Sequence, residues 1–317
     1  MLSLVHTLFL SVAGLSVHIE SESIPMAALG AMTRFVSDGT STPDCRVRVV
    51  KGTVPASGDL VFDSRGVWSL YRDGEGLRFD LGSEIFGSEP YTQAVTLNDL
   101  SRITVHLRED RIPANEPAYP LTYPLDELIF TNLLARLGGV ELHASGIVME
   151  DGTGIIFAGH SGGGKTTTSR LWHNAGVKRI LSDDRIIIRL IDQQLRMYGT
   201  PWHGEADYAI DDSAPLRAIL FLRHDDKNVL TPLAPVDAMA RLSTCAFFPL
   251  HDRSAIESTL EFLESVVQQA RCAELGFIPD DTAVSFVRKR LGVQESAQPS
   301  GRGASGLRAR PRPKGAF

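Results

Sequence analysis

One octapeptide restricts this chain more than anything else in it. Gly159-His160-Ser161-Gly162-Gly163-Gly164-Lys165-Thr166 fills the pattern G-x-x-x-x-G-K-[ST] at every fixed position. Four apolar residues, Ile155 to Ala158, lead into it, and a helical stretch, Thr166–Asn174, leads out. Glycines let successive backbone N–H groups curl around an anion without Cβ clashes. A helix that begins where the curl ends adds its N-terminal partial positive charge at the same point. Lys165 is then placed to reach β- and γ-phosphates, and the Thr166 hydroxyl to hold a magnesium ion. The motif predicts a phosphate cradle built from Gly159, Ser161, Gly162, Gly163, Gly164, Lys165, Thr166 and Thr167, with ATP and Mg²⁺ as its ligands.

The next acids along the chain are Asp183 and Asp184, which follow Ile180-Leu181-Ser182. A carboxylate at a strand end beside such a loop is where a metal ligand belongs. Only about 18 residues separate Lys165 from Asp183, room for one helix and one return strand. Most ATPases with this loop place the acid far downstream, and no LSGGQ-like stretch follows, which argues against a transporter ATPase. One carboxylate is expected to hold Mg²⁺ and the other to accept the proton of an attacking hydroxyl. Asp184 joins Thr166 as a metal candidate, and the division of roles between the two acids stays open.

Around this centre the chain reads as two parts and a tail. Residues 1–115 are β-rich: Cys45–Val50, Leu60–Phe62, Val67–Tyr71 and Leu77–Phe79 alternate with turn signals such as Asp73-Gly74. They suggest a small antiparallel module with no catalytic constellation. Met1–Val17 is apolar but lacks a basic n-region, and the alternation Leu15, Val17, Ile19 marks a first strand rather than a secretion signal. Pro113, Pro117, Pro120 and Pro124 mark a boundary, after which residues 120–292 read as α/β. Leu125, Ile129, Leu133 and Leu137 recur at helical spacing before Gly138-Gly139, and Val140–Met149 follows as a strand. Leu216–Leu222 is a buried strand, and helices are expected at Val236–Phe247, Ala255–Ala273 and Asp281–Leu291.

Residues 293–317 read as a disordered basic tail. From Gln294 onward, five cations against one Glu make +4 of a chain total of −6, which leaves −10 on the body. An acidic body is the wrong partner for nucleic acid, whose phosphates need cations. No run of 18 apolar residues would cross a membrane. Three scattered cysteines, Cys45, Cys245 and Cys272, form neither a zinc pattern nor a disulfide framework, which points to a reducing cytoplasm.

The stretch Leu142-His143-Ala144-Ser145-Gly146, continuing through GIIFAGHSGGGKTTT to ILSDDRIII, resembles the catalytic domain of HPr serine kinase/phosphorylase. That family is related to ATP-dependent phosphoenolpyruvate carboxykinase through its nucleotide-binding core. The approach helix YPLDELIFTNLLARLGG and the run Tyr198-Gly199-Thr200-Pro201-Trp202 are similar to the smaller HPr-kinase-like proteins of bacterial gene clusters, those for lasso-peptide modification among them. The resemblance covers about residues 120–290. It implies an α/β fold, a phosphoenolpyruvate-carboxykinase-like P-loop kinase domain preceded by the smaller β-rich region. It also implies catalytic or metal roles for Asp183 and Asp184, nucleotide contacts from Gly159–Thr167, and a site role for His143, which would otherwise read as a core histidine.

The implied activity is transfer of the γ-phosphoryl of ATP to a serine-type hydroxyl of a protein or peptide; many relatives are oligomeric, and whether this chain is a homo-oligomer stays open. An ATP-binding sensor without transfer, or a small-molecule kinase on the same core, are the alternatives. The chain departs from HPr kinase in two places: the family's N-terminal domain and its Arg-Pro-Gly-Arg-Asn loop are both missing, the latter replaced by TPWHGEADYAI. The resemblance therefore does not extend to HPr as substrate or to the reverse reaction. His203 falls on the acceptor side, and Arg185, Arg217 and Arg223 are candidates to offset charge on the transferring group.

Overall fold

The computed structural model describes residues 6–83, 85, 87–160 and 162–293. Ser161 of the glycine-rich loop and the basic tail from Gln294 lie outside the described residues. The protein is mixed α/β, built on two large mixed sheets.

The first sheet is made of β1 (His6–Val12), β2 (Leu15–Ser21), β3 (Cys45–Lys51), β4 (Asp59–Asp63), β5 (Trp68–Asp73), β6 (Gly76–Leu81), β7 (Thr92–Leu97) and β8 (Arg102–Leu107), in the order β1-β2-β3-β8-β7-β6-β5-β4. The expected antiparallel module is corrected here. β2 pairs β3, and β3 pairs β8, in parallel, because the long connections around β3 cross over instead of turning back. His6–Ser21 forms a hairpin, closed by Ala13 and Gly14, both at positive φ. Alternation puts Leu10, Val17, Ile19 and Val47 on one face. Helix α1 (Leu125–Leu137) packs its Leu125, Ile129, Phe130 and Leu133 into the same core. Gly138 ends that helix at φ +79.

The second sheet holds β9 (Gly139–Val148), β10 (Gly154–Ala158), β11 (Ile180–Ser182), β12 (Arg185–Ile191), β13 (Gln194–Tyr198), β14 (Ser213–His224), β15 (Val229–Pro232) and β16 (Arg271–Phe277). β9 bonds β12 through Gly139–His143 and β10 through Ala144–Val148. β14 bonds β13 through Ser213–Pro215, then runs parallel to β10 from Leu216 to Phe221. Strands β10, β9, β12, β13 and β14 thus close into a ring. The two sides approach so nearly that a Cβ at Gly146 or Gly154 would strike Met197.

Helices cover both faces of this sheet, and period-two alternation sorts the side chains between them. Ile155, Phe157, Ala218 and Leu220 face α2 (Lys165–Asn174) and α5 (Asp281–Leu291). Ile156, Ala158, Ile219 and Phe221 face α3 (Pro235–Ser243) and α4 (Arg253–Gln269). Fully burying an aliphatic or aromatic side chain of this size stabilises the fold by about 1.5–3 kcal/mol. The helix expected over Ala255–Ala273 stops at Gln269: Ala270 turns extended and Arg271–Phe277 becomes β16, parallel to β14. The helix expected over Val236–Phe247 ends at Ser243. Among the described residues, no helix is long and apolar enough to cross a membrane.

Candidate functional site

The glycine-rich loop leaves the carboxyl end of β10 and hands over to α2 at Gly164, whose φ of +99 suits glycine alone. The space is also closed, since a Cβ there would lie 3.0 Å from Phe277 Cζ. Lys165 is buried, and its ammonium donates to the carbonyls of Gly159 (3.0 Å) and His160 (3.3 Å). Burial pulls its pKa down, opposed by the nearby charge of Asp184. No described residue bonds the Thr166 hydroxyl, Gly162 and Thr167 are exposed, and Gly163 is half-buried. His160, at a variable position of the motif, is exposed.

The meeting of His143 with Asp184 follows from strand register. His143 is the last β9 residue opposite β12, facing Arg185, and the next residue, Ala144, begins the pairing with β10. The Ala144 N–H donates to the Asp184 carbonyl at 3.0 Å, so both residues lie level with the start of the glycine-rich loop. Asp184 Oδ1 lies 3.0 Å from His143 Nε2, and its other oxygen takes the Arg185 guanidinium. Burial opposes charge on Asp184, but the hydrogen bond to His143, with the charges of Arg185 and Lys165 nearby, holds the carboxyl below its usual range. Both side chains keep contact with solvent, His143 at 31% and Asp184 at 26% exposed.

Asp183 turns the other way, as adjacent residues of an extended segment do. It is 1% exposed, and its two oxygens accept from the backbone N–H groups of Gly204 (3.0 Å) and Ala206 (2.9 Å). The acid therefore anchors the loop after β13. A Cβ at Gly204 would sit 2.8 Å from Asp183 Oδ2 and disturb this grip. Ser182 braces the turn from below: its hydroxyl accepts from the N–H groups of Asp184 and Arg185 and donates to the Trp202 carbonyl.

Of the three arginines put forward, only Arg185 reaches the acids. Arg217 pairs with Asp151, and Arg223 with Asp225 and Glu274. His203 sits on the loop, 3.3 Å from Asp207. The structure adds a group that the sequence did not reveal. Arg185 Nε meets Glu127 of α1 at 2.9 Å and Glu141 of β9 at 3.6 Å, while its guanidinium lies 4.5 Å from the Phe247 ring centroid. Glu141 is fully buried, accepts from the Thr131 hydroxyl at 3.0 Å, and has one oxygen with no hydrogen-bond partner. Burial, with Glu127 alongside, pushes its carboxyl well above the usual range, against the opposing pull of Arg185. Neither acid stands out in the sequence, because what marks them is a shared guanidinium that only the fold supplies. Cys245 closes the floor: its carbonyl accepts from the His143 N–H at 2.7 Å, and burial raises its thiol pKa despite nearby Lys165.

Among the described residues no group of three or more His, Cys, Asp or Glu side chains gathers as a metal site. Magnesium needs no such cage, since it commonly takes one or two protein oxygens and completes its shell with phosphate and water. The free Thr166 hydroxyl and the half-exposed Asp184 carboxylate are donors of the right hardness for it. Compared with known proteins, the chain matches no family model and no curated sequence.

Proposed function

We propose that this chain is an ATP- and Mg²⁺-dependent kinase, built on a phosphoenolpyruvate-carboxykinase-like P-loop core, that transfers the γ-phosphoryl group to a serine-type hydroxyl of a protein or peptide. The observation that carries the reading is the gathering of Lys165, Asp184 and His143 at the carboxyl end of β10, beside the glycine-rich loop.

In this reading the loop amides and the α2 N-terminus cradle the phosphates, and Lys165 leaves the Gly159 and His160 carbonyls to meet them. Thr166 and Asp184 would hold Mg²⁺, which when bound neutralises phosphate charge. Arg185, fixed between Glu127 and Asp184, keeps the Asp184 carboxylate oriented. Asp183 has both oxygens occupied by amides, and Asp184 is a weak base because its neighbours favour the charged form. The imidazole of His143 is then the better acceptor for the hydroxyl proton, with Asp184 stabilising the imidazolium that forms. The supports are positioning and charge, the two contributions that dominate phosphoryl transfer.

The test is incubation of the full chain with γ-labelled ATP, Mg²⁺ and serine-bearing peptides or host extract. Label is expected on an acceptor serine, and Lys165→Ala should lower transfer by a factor of a hundred or more, on the order of one lost charge-stabilising contact. His143→Ala should lower kcat more than KM. Binding of ATP with no label on any acceptor would overturn the kinase reading in favour of a nucleotide sensor.

A further inference from the structure

The phosphate loop has two sides, and only one of them has been used. β10 lies between β9, which carries His143, and β14, which ends at His224. The chain leaving β10 passes through α2 to β11, beside β9, whereas the chain leaving β14 goes the opposite way, to β15 and β16. Two neighbouring parallel strands whose connections diverge leave a crevice outside their carboxyl ends, the place where α/β sheets take their ligands. The phosphate loop forms one wall of that crevice and His224 stands on the other.

His224 is exposed, and its Nε2 lies 3.5 Å from the Gly162 carbonyl of the loop. Its ring stacks on Phe277 with 6.0 Å between centroids and 24° between planes. Phe277 is itself buried at the end of β16, pressed against Gly164. The end of β14 is held firmly. Arg223 bonds Glu274 at 2.8 Å, Glu274 also takes Arg241 from α3, and the Asp225 N–H donates to the Phe277 carbonyl at 3.3 Å. The Asn228 side-chain Oδ1 accepts from the Ile278 N–H at 3.0 Å and fixes the turn beyond. An aromatic ring held this way, backed by a second ring and open to solvent, is a stacking surface.

We propose that His224, backed by Phe277, is the platform on which the base of a bound nucleoside triphosphate stacks. The inference rests on the reading of the loop as a nucleotide site and adds direction to it. The terminal phosphate points toward Lys165, Asp184 and His143, and the nucleoside lies across β14 and β16. Stacking on a ring face does not discriminate strongly among bases, so the platform accepts ATP and GTP comparably.

Calorimetric titration of the full chain with ATP, GTP and inorganic tripolyphosphate, each with Mg²⁺, separates the platform from the loop. ATP and GTP are expected to bind more tightly than tripolyphosphate. His224→Ala should weaken both nucleotides roughly tenfold and leave tripolyphosphate unchanged, while His224→Phe, which keeps an aromatic face, should restore most of the loss. Lys165→Ala should weaken all three. The platform is overturned if His224→Ala leaves ATP affinity intact, or if it weakens ATP and tripolyphosphate equally, which would mark a disturbance of the Gly162 contact instead. A wild-type chain that binds neither nucleotide nor tripolyphosphate overturns the loop reading itself, and this inference with it.

Discussion

Asp126 sits one residue before the Glu127 that grips Arg185, buried on α1. The Glu127 N–H donates to it at 2.8 Å and the Tyr119 hydroxyl at 3.3 Å, yet burial outweighs these bonds and pushes its carboxyl up to about 7. Its ordinary value is 3.8. Below that pH both the folded and unfolded chains hold the proton, and the burial has no electrostatic penalty. Between the two values the unfolded chain gives up its proton while the folded chain keeps it. Stability therefore falls across that window, by about 4 kcal/mol once the folded group has ionised. Asp126→Asn removes this titration. The variant should melt above the wild type at pH 8 and lose that advantage at pH 4, as thermal unfolding followed across pH would record. The same contrast explains what the sequence made legible at this scale. Lys165 and the Asp183-Asp184 pair lie in short strings whose residue types single them out as candidates, whereas His143 was singled out only through the resemblance. Glu127 and Glu141 were not singled out, because each looks like an ordinary acid until α1 and β9 fold them onto one guanidinium. Which of two adjacent acids faces the loop and which the site depends on the pleat of the backbone, and the string Asp-Asp is silent on it.

Among the elements, α1 and α5 carried their own boundaries, with Gly138 and Gly292 at positive φ closing them. β16 did not. Arg271–Phe277 follows α4 with no glycine or proline between, and its Cys272, Ala273 and Leu275 fit a helical period as readily as an extended one. Parallel pairing with β14 decides the matter, and that partner lies about fifty residues away. Parallel contacts of β3 with β2 and β8 were hidden for the same reason. The start of α4 is local and therefore testable locally. Asp252 accepts from the N–H groups of Ser254 (2.9 Å) and Ala255 (3.3 Å), two donors that the helix cannot satisfy itself. Asp252→Ala should lower stability by about 1 kcal/mol in denaturant titration and leave ATP affinity unchanged.

Across the whole molecule the two sheets are joined by more than a linker. Ile187 of β12 and Trp202 of the loop share a core with α1 and the first sheet. Arg189 on β12 reaches the Ala13 carbonyl at 2.9 Å, and Arg34 reaches the Ala209 carbonyl at 2.7 Å. A shared core of this kind couples the halves, so calorimetry should show a single unfolding transition with matching calorimetric and van't Hoff enthalpies, and two resolved peaks would contradict it. The ring of strands carries a consequence of its own. β9 is bonded along both edges, and the amides of His143 and Ala144 are taken by the carbonyls of Cys245 and Asp184. Exchange of those amide hydrogens with solvent requires the Cys245 and Asp184 segments to part from β9. If the proposed reading holds, a polyanion would bind and leave at the loop while His143, on a strand bonded along both edges, keeps its place beside Asp184.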